Sequence, residues 1–313
     1  MKVFITGGLG QIGSHIAEML LERGDQVLVV DNLATGRSEH LAPHPNLRVV
    51  IESIANREAM QALMGDFRPD AVVHTAASYK DPHDWHNDTL TNCVGGAAIA
   101  SLAKEFGVGR IIYYQTALCY GLKPLENPIT LAHPRNPAGS SYAISKTANE
   151  LYIEESGVDY VTFRLANVIG PRNVAGPLPI FYQRLKDQKK CFVTKARRDF
   201  VFVKDLARVT LRAIDGTGHG AYHFSSGTDV AIKELYDAVV AAMNLPAYPE
   251  PEIKDLAADD VASILLDPSR TFADFGPIEF TPLVETVRQG ILYYQQHGTL
   301  GEYTHLKMDR EQA

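Results

Sequence analysis

The chain has 313 residues, of which 45% are hydrophobic and 21% charged, with a formal net charge of −7. This is an ordinary globular composition, long enough at roughly 150 residues per domain for one large domain or two modest ones. The acidic balance argues against nucleic acid as a partner, because a phosphate backbone needs a basic face. Cys93, Cys119 and Cys191 are widely spaced and odd in number. They fit a reducing compartment, predict a cytoplasmic protein and leave no metal spacing. No apolar run approaches the ~20 residues of a membrane span, and the opening residues do not read as a signal peptide.

In chain order, residues 2–6 form a short apolar strand. Glycines follow, and then Ile12, Ile16, Met19 and Leu20 recur at helical spacing, with Gly24 as a stop. Residues 26–30 read as a second strand ending at Asp31, and further apolar runs lie at 48–51, 71–74, 110–114 and 160–164. Helical stretches alternate with them, which predicts an α/β fold with a parallel sheet covered on both faces. Past residue 170 the texture turns rich in Pro and Gly, with short helices at 204–214, 232–243 and 283–295. Loops with Pro246, Pro249 and Pro251 separate the last two, and the last dozen residues are polar and read as frayed. The expected division is a dinucleotide domain over 1–170 with a return around 200–226. A smaller, mainly helical cap covers 171–199 and 227–313.

The first turn reads Thr6-Gly-Gly-Leu-Gly-Gln-Ile-Gly13, between a strand and a helix. Gly7 permits the tight turn, Gly10 lets backbone approach a pyrophosphate, and Gly13 permits close packing of the helix. The helix N-terminus offers free N–H groups to phosphates. In this setting the turn predicts a doubly wound, Rossmann-type sheet that binds a dinucleotide. Asp31 follows Gly13 by 18 residues, where a carboxylate reaches the adenosine ribose hydroxyls and repels a 2′-phosphate. That favours NAD over NADP. Arg37 is the opposing signal and reads as a solvated loop charge.

Tyr142 and Lys146 are spaced i, i+4 and open a helical stretch that runs to about Ser156. An ammonium one turn away lowers a phenol from its usual pKa of about 10, so that it can take a proton from a sugar hydroxyl. The lysine can also hydrogen-bond the nicotinamide ribose. Thr116, after the 110–114 strand, could bridge substrate and tyrosine.

These residues resemble the extended short-chain dehydrogenase/reductase family, in its nucleotide-sugar epimerase and dehydratase branch. The supporting motifs are Val30-Asp31-Asn32-Leu33, Val73-His74-x-Ala76-Ala77, Asn92-x-x-Gly95 and Thr116-x-x-x-Tyr120-Gly121, with Tyr142-x-x-x-Lys146. Arg164-x-x-Asn167-x-x-Gly170-Pro171-Arg172 and Arg198-Asp199-Phe200 complete the set. The resemblance implies Tyr142 as base, Lys146 as its partner and Thr116 on the sugar. It assigns Gly7, Gly10, Gln11, Ile12 and Gly13 to the NAD side, with Asp31, Asn32, Leu33, Ser53 and Ile54 around the adenosine. Thr75, Ala76 and Ala77 fall beside the cofactor diphosphate and ribose. Leu165 and the buried Asn92 are assigned to the same side, and Asn167 and Arg198 to the substrate diphosphate. The implied activity is epimerisation of a nucleotide-diphosphate sugar, foremost a UDP-sugar, at C4 through a 4-keto intermediate with NAD recycled. A 4,6-dehydratase, a 4-keto-sugar reductase and a non-catalytic NAD-binding regulator are the alternatives. A surface-polysaccharide role follows from the resemblance alone.

Four departures stand out. Ser53-Ile54 replaces the family's Asp-Ile, which puts adenine binding in question. Ala117-Leu118 stand where dehydratases carry an acid and a base. Gln115 replaces a common serine, and Leu256-Ala257-Ala258-Asp259 lacks a phosphate-binding arginine. Arg270, a little later, reads as structural. His83, Asp84, His86 and Asp88 read as a surface loop or helix start near the substrate mouth and not as a metal site. Lys80 reads as a solvated charge. Lys195 or Arg197 could share the diphosphate with Arg198, and Cys119 has no base to activate it. Ile144, Ala148, Leu151 and Tyr152, with Val94, Ala98, Leu102 and Ala103, mark helices around 142–155 and 92–106. The resemblance makes these a homodimer interface, and packing on the sheet is the alternative.

Overall fold

The computed structural model describes residues 1–79, 81, 83–245, 250–256 and 261–299. Lys80, Pro246, Pro249, the 257–259 part of the departing stretch and the polar last dozen residues lie outside these.

The strands are β1 (Lys2–Thr6), β2 (Gln26–Asp31), β3 (Leu47–Ile51), β4 (Ala71–His74), β5 (Arg110–Thr116) and β6 (Tyr160–Leu165). Short strands follow: β7 (Asn167–Ile169), β8 (Phe192–Thr194), β9 (Arg197–Arg198) and β10 (Phe200–Phe202). The last are β11 (Gly220–Phe224), β12 (Val230–Ala231), β13 (Glu252–Lys254) and β14 (Ser263–Ile264). The helices in the first half are α1 (Gln11–Glu22), α2 (Arg57–Phe67), α3 (Trp85–Asp88), α4 (Gly96–Glu105) and α5 (Ser141–Ser156). In the second half they are α6 (Pro177–Lys186), α7 (Val203–Ile214), α8 (Ile232–Ala242), α9 (Ser269–Phe275) and α10 (Leu283–His297). Each strand foreseen from periodicity, and each helix foreseen at 204–214, 232–243 and 283–295, is present within one to two residues at either end.

Seven strands form one parallel sheet in the order β11-β6-β5-β4-β1-β2-β3. Alternate side chains leave opposite faces of a strand. Val3, Ile5, Val29 and Phe163 therefore join α1 and α7 on one face, through Ile16, Leu20, Leu206 and Val209. Phe4, Leu28, Val72 and Tyr113 join α2, α4 and α5 on the other, through Met60, Met64, Leu102 and Ile153. A third apolar cluster gathers α6, α8 and α10 around Tyr182, Tyr236 and Tyr294. The strand order reverses between β1 and β4, and open α/β sheets bind ligands at the carboxyl ends of such strands.

The expected helix around 92–106 is interrupted. A π-helical turn, Thr89–Gly95, precedes α4. Ala98, Leu102 and Ala103 face the molecule's own core, whereas Val94, Ile144, Leu151 and Tyr152 are each about half exposed. One face of these helices thus packs on the molecule's own core and the other is open to solvent. Among the described residues, no helix is long and apolar enough to cross a membrane.

Candidate active site

A cavity of about 1300 Å³ opens at the carboxyl ends of β1 and β4. Its walls include Gly7, Gly10, Gln11 and Ile12 from the first turn, Asp31 and Asn32 after β2, and Ser53 and Ile54 after β3. Thr75, Ala76 and Ala77 follow β4, and Thr116, Tyr142, Lys146, Leu165, Asn167 and Arg198 complete the expected set. Gly13, Leu33 and Asn92 are not among the residues that line it. A Cβ on Gly13 would lie 2.5 Å from the Gly7 carbonyl, so the close packing of this turn requires a glycine. Leu33 donates its N–H to Asp31 Oδ1 at 2.8 Å. Asn92 is buried and bridges Ser78 to α5, donating to Ser145 Oγ at 3.0 Å.

The turn fits a dinucleotide diphosphate. Gly7 has φ +66°, and a Cβ there would stand 2.6 Å from Ala76 N. No side chain caps α1, so its first-turn N–H groups stay available to an anion. Among the described residues, Gln11 Nε2 is buried without a partner. Behind the turn, Thr6 Oγ1 meets His74 Nδ1 at 2.6 Å, and Asn149 Nδ2 meets His74 Nε2 at 2.9 Å. Because the Asn149 amide donates, the network assigns the His74 proton to Nδ1. Burial lowers the His74 pKa to about 3, so a neutral imidazole ties β1 to α5.

At the end of β2, burial raises the Asp31 carboxyl, and the N–H groups of Leu33, Leu9 and Gly10 oppose that rise. Ser53 Oγ accepts the Ala55 N–H at 3.2 Å. Glu52, which sequence reasoning passed over, adds a carboxylate to the same wall. Arg37 is not a solvated charge. Its Nη1 donates to the His297 carbonyl at 3.0 Å on α10.

Ser140 caps α5, accepting the Ala143 N–H at 3.2 Å, and so starts the helix just ahead of Tyr142. Thr116 ends β5, and its hydroxyl accepts the Leu118 N–H at 3.2 Å. The expected lowering of the Tyr142 phenol is not what the geometry produces. Burial raises it, and the neighbouring Tyr79 and Asp88 raise it further. Lys146 Nζ lies 4.2 Å from the centroid of the Tyr113 ring. Burial lowers its pKa to about 7, so its own charge is partial at neutral pH. Asp88 is no surface residue. It closes α3, is 1% exposed, and burial raises its carboxyl. Among the described residues, no three His, Cys, Asp or Glu side chains cluster as a metal would need. Burial pushes the Cys119 thiol up to about 12.

On the cavity wall after β6, Asn167 Nδ2 donates to the Asp199 carbonyl at 3.1 Å. Arg198 reaches the cavity while donating to the Arg197 and Val261 carbonyls. Lys195 and Arg197 do not share that position, being paired with Asp255 and Asp229 at 2.8 Å each. Arg184 on α6 lines the cavity instead, a cation that no motif marked. Arg270 is structural, donating to the Ala221 and His219 carbonyls.

Residues 3–224 match the family model described as the NAD dependent epimerase/dehydratase family. The chain belongs to that family. It is 31% identical over 278 residues to a UDP-glucose 4-epimerase of Mycolicibacterium smegmatis, covering 82% of this chain and 88% of that one. The Bordetella bronchiseptica enzyme WbmH, solved in complex with NAD+, superposes with a TM-score of 0.94 at 71% identity, covering 95% of this chain and 99% of that one. WbmG of the same organism, solved with NAD and UDP, gives a TM-score of 0.88 at 39% identity, covering 97% of each chain. This family member is thus an enzyme of the extended short-chain dehydrogenase/reductase type, and NAD is the cofactor of its family.

Proposed function

We propose that the chain is a nucleotide-sugar 4-epimerase that keeps NAD as a resident hydride carrier and takes a UDP-sugar. The observation that carries this reading is the convergence of Thr116, Tyr142 and Lys146 on the cavity that the glycine turn also lines. The UDP bound by the related WbmG and the name of the mycobacterial relative support the nucleotide.

The glycine turn holds the diphosphate of NAD, and Asp31 accepts the adenosine ribose hydroxyls, with Asn32, Ser53 and Glu52 around the adenine. Bound NAD supplies a hydride acceptor and donor and, when oxidised, a positively charged ring. Positive charge beside a buried phenol favours the phenolate, which offsets the burial that raises Tyr142. Thr116 Oγ1 holds the C4 hydroxyl of the sugar, and Tyr142 Oη takes its proton. Lys146 binds the nicotinamide ribose and steadies the phenolate. Tyr142 returns the proton once the 4-keto sugar has turned its other face, which inverts C4. Arg198, Asn167 and Arg184 receive the substrate diphosphate. Ala117 and Leu118 cannot transfer protons, so elimination across C5 and C6 lacks its acid and base.

The described residues of 171–199 and 227–299 form the cap that selects the sugar. The half-exposed Val94, Ile144, Leu151 and Tyr152 make the homodimer contact.

Proton NMR of the protein with a panel of UDP-, GDP- and dTDP-sugars tests the reading. An exchange at C4 with no added cofactor is expected. Stoichiometric consumption of added NADH with a keto-sugar would make the protein a reductase.

A further inference from the structure

The α5 stripe that begins with Tyr142 and Lys146 continues one turn further to Glu150, which is fully buried. Glu150 Oε1 accepts from Arg164 Nε at 3.0 Å and lies 2.9 Å from Arg164 Nη2. Its Oε2 accepts from Gln115 Nε2 at 3.0 Å and stands 3.3 Å from Arg135 Nη1. Gln115 Oε1 in turn accepts the N–H of Thr116 at 2.8 Å. Arg164 Nη1 donates to Tyr120 Oη at 2.6 Å, and that hydroxyl meets His223 Nε2 at 2.6 Å. An unbroken hydrogen-bonded chain therefore runs from the cavity wall at Thr116 into the interior. The proton transfers proposed above use none of Gln115, Glu150 or Arg164.

We infer that Glu150 is a positioning residue: through Gln115 it fixes the end of β5 that carries Thr116, and its charge lies one helical turn from the Lys146 ammonium. The inference rests on the reading of Thr116 and Lys146 given above. A buried carboxylate that takes two hydrogen bonds and pairs with two guanidinium groups is held in one orientation, because leaving a buried donor or charge unpaired is costly. Gln115, gripped at both ends of its amide, passes that orientation to the Thr116 backbone. The hydroxyl of Thr116 is thereby set against the cavity within the tolerance that positioning requires.

The electrostatic arm is separate. Lys146 is surrounded by the Tyr113 ring on β5, His74 on β4, and Tyr142 and Glu150 on its own helix. Cys93, on the π-helical turn, packs against the neighbouring Ser145 carbonyl. The Tyr113 and Tyr142 phenols are both raised, burial being the largest cause. His74 is neutral, and burial raises the Cys93 thiol. Glu150 is then the charge that opposes the loss of the Lys146 proton to burial.

The test is a side-chain titration of lysine-¹³Cε-labelled protein by NMR, with the Lys146 signal assigned by its loss in Lys146→Met. In Glu150→Gln the Lys146 midpoint is expected to fall by about one pH unit. An unmoved midpoint overturns the electrostatic arm. Gln115→Met keeps every ionised group and cuts the tie between Thr116 and Glu150 by removing both amide hydrogen bonds. It is expected to leave the lysine titration unchanged and to lower kcat about tenfold, with KM little moved. The substrate is the nucleotide sugar that exchanges fastest in the panel above. An unaltered kcat overturns the positioning arm, and this variant keeps the inference refutable if Glu150→Gln does not fold. The titration needs neither substrate nor turnover. A flat result therefore counts against the inference alone, whereas full activity of Lys146→Met would count against the functional reading.

Discussion

Asp31 Oδ2 accepts the backbone N–H of Leu9 at 3.0 Å, so the carboxylate that ends β2 is fastened to the glycine turn that follows β1. One side chain thus holds the turn in shape and presents an acceptor to the cavity. Asp31→Ala is expected to cost about 1–3 kcal/mol of stability, because buried backbone donors lose their acceptor. It should also abolish co-purification of NAD. Urea unfolding and the absorbance of acid-released nucleotide measure the two effects, and retention of bound NAD by a destabilised variant would remove Asp31 from the cofactor site.

Tyr142→Phe removes one hydroxyl and little volume. The proposed proton transfer predicts a fall in kcat of at least about 10²–10⁴-fold, the usual worth of a positioned acid–base group. The Tm should change little. C4 exchange followed by NMR provides the measurement.

Asp88 raises the Tyr142 phenol by charge repulsion. Asp88→Asn takes that charge away, so the phenol pKa falls. A base with a lower pKa stays ionised to lower pH. The acid limb of kcat/KM is therefore expected to move to lower pH, and a shift to higher pH would refute the assignment of Tyr142 as the base.

His74 has a folded pKa of about 3 against 6.5 for the free side chain. Between these values the unfolded chain binds the proton and the folded chain does not. Stability then rises with pH across the window and is lost as pH falls from 6.5 toward 3, by up to about 1.4 kcal/mol per unit for this group. His74→Gln should flatten the dependence of ΔG on pH over that range in urea unfolding. An unchanged slope would place the acid sensitivity elsewhere.

Ile144→Lys puts a charge in the half-exposed stripe of α5. The proposed dimer predicts a shift from twofold to onefold mass in light scattering, with far-UV CD unchanged.

The parallel sheet, the glycine turn, Asp31 and the Tyr142–Lys146 pair were all readable in the sequence. Strand period, the φ > 0 demanded of Gly7 and the i, i+4 spacing are local properties of the chain. Periodicity also foresaw the helices of the second half, but not which cation faces the cavity. Lys195, Arg197 and Arg198 lie within one short run, and only their pairing with Asp255, Asp229 and backbone carbonyls separates them. Arg184 and Glu52 entered the cavity wall without any motif to mark them.

By itself the sequence determined that a dinucleotide fold is formed and that a phenol and an ammonium share one helix face. Tertiary structure alone decided their ionisation. Desolvation depends on what the whole chain packs around a group, and it raised Tyr142 and lowered Lys146 where the spacing by itself pointed to a lowered phenol. It also decided the tie from Thr116 through Gln115 to Glu150. Those last two residues are 35 positions apart and meet only because β5 and α5 pack together.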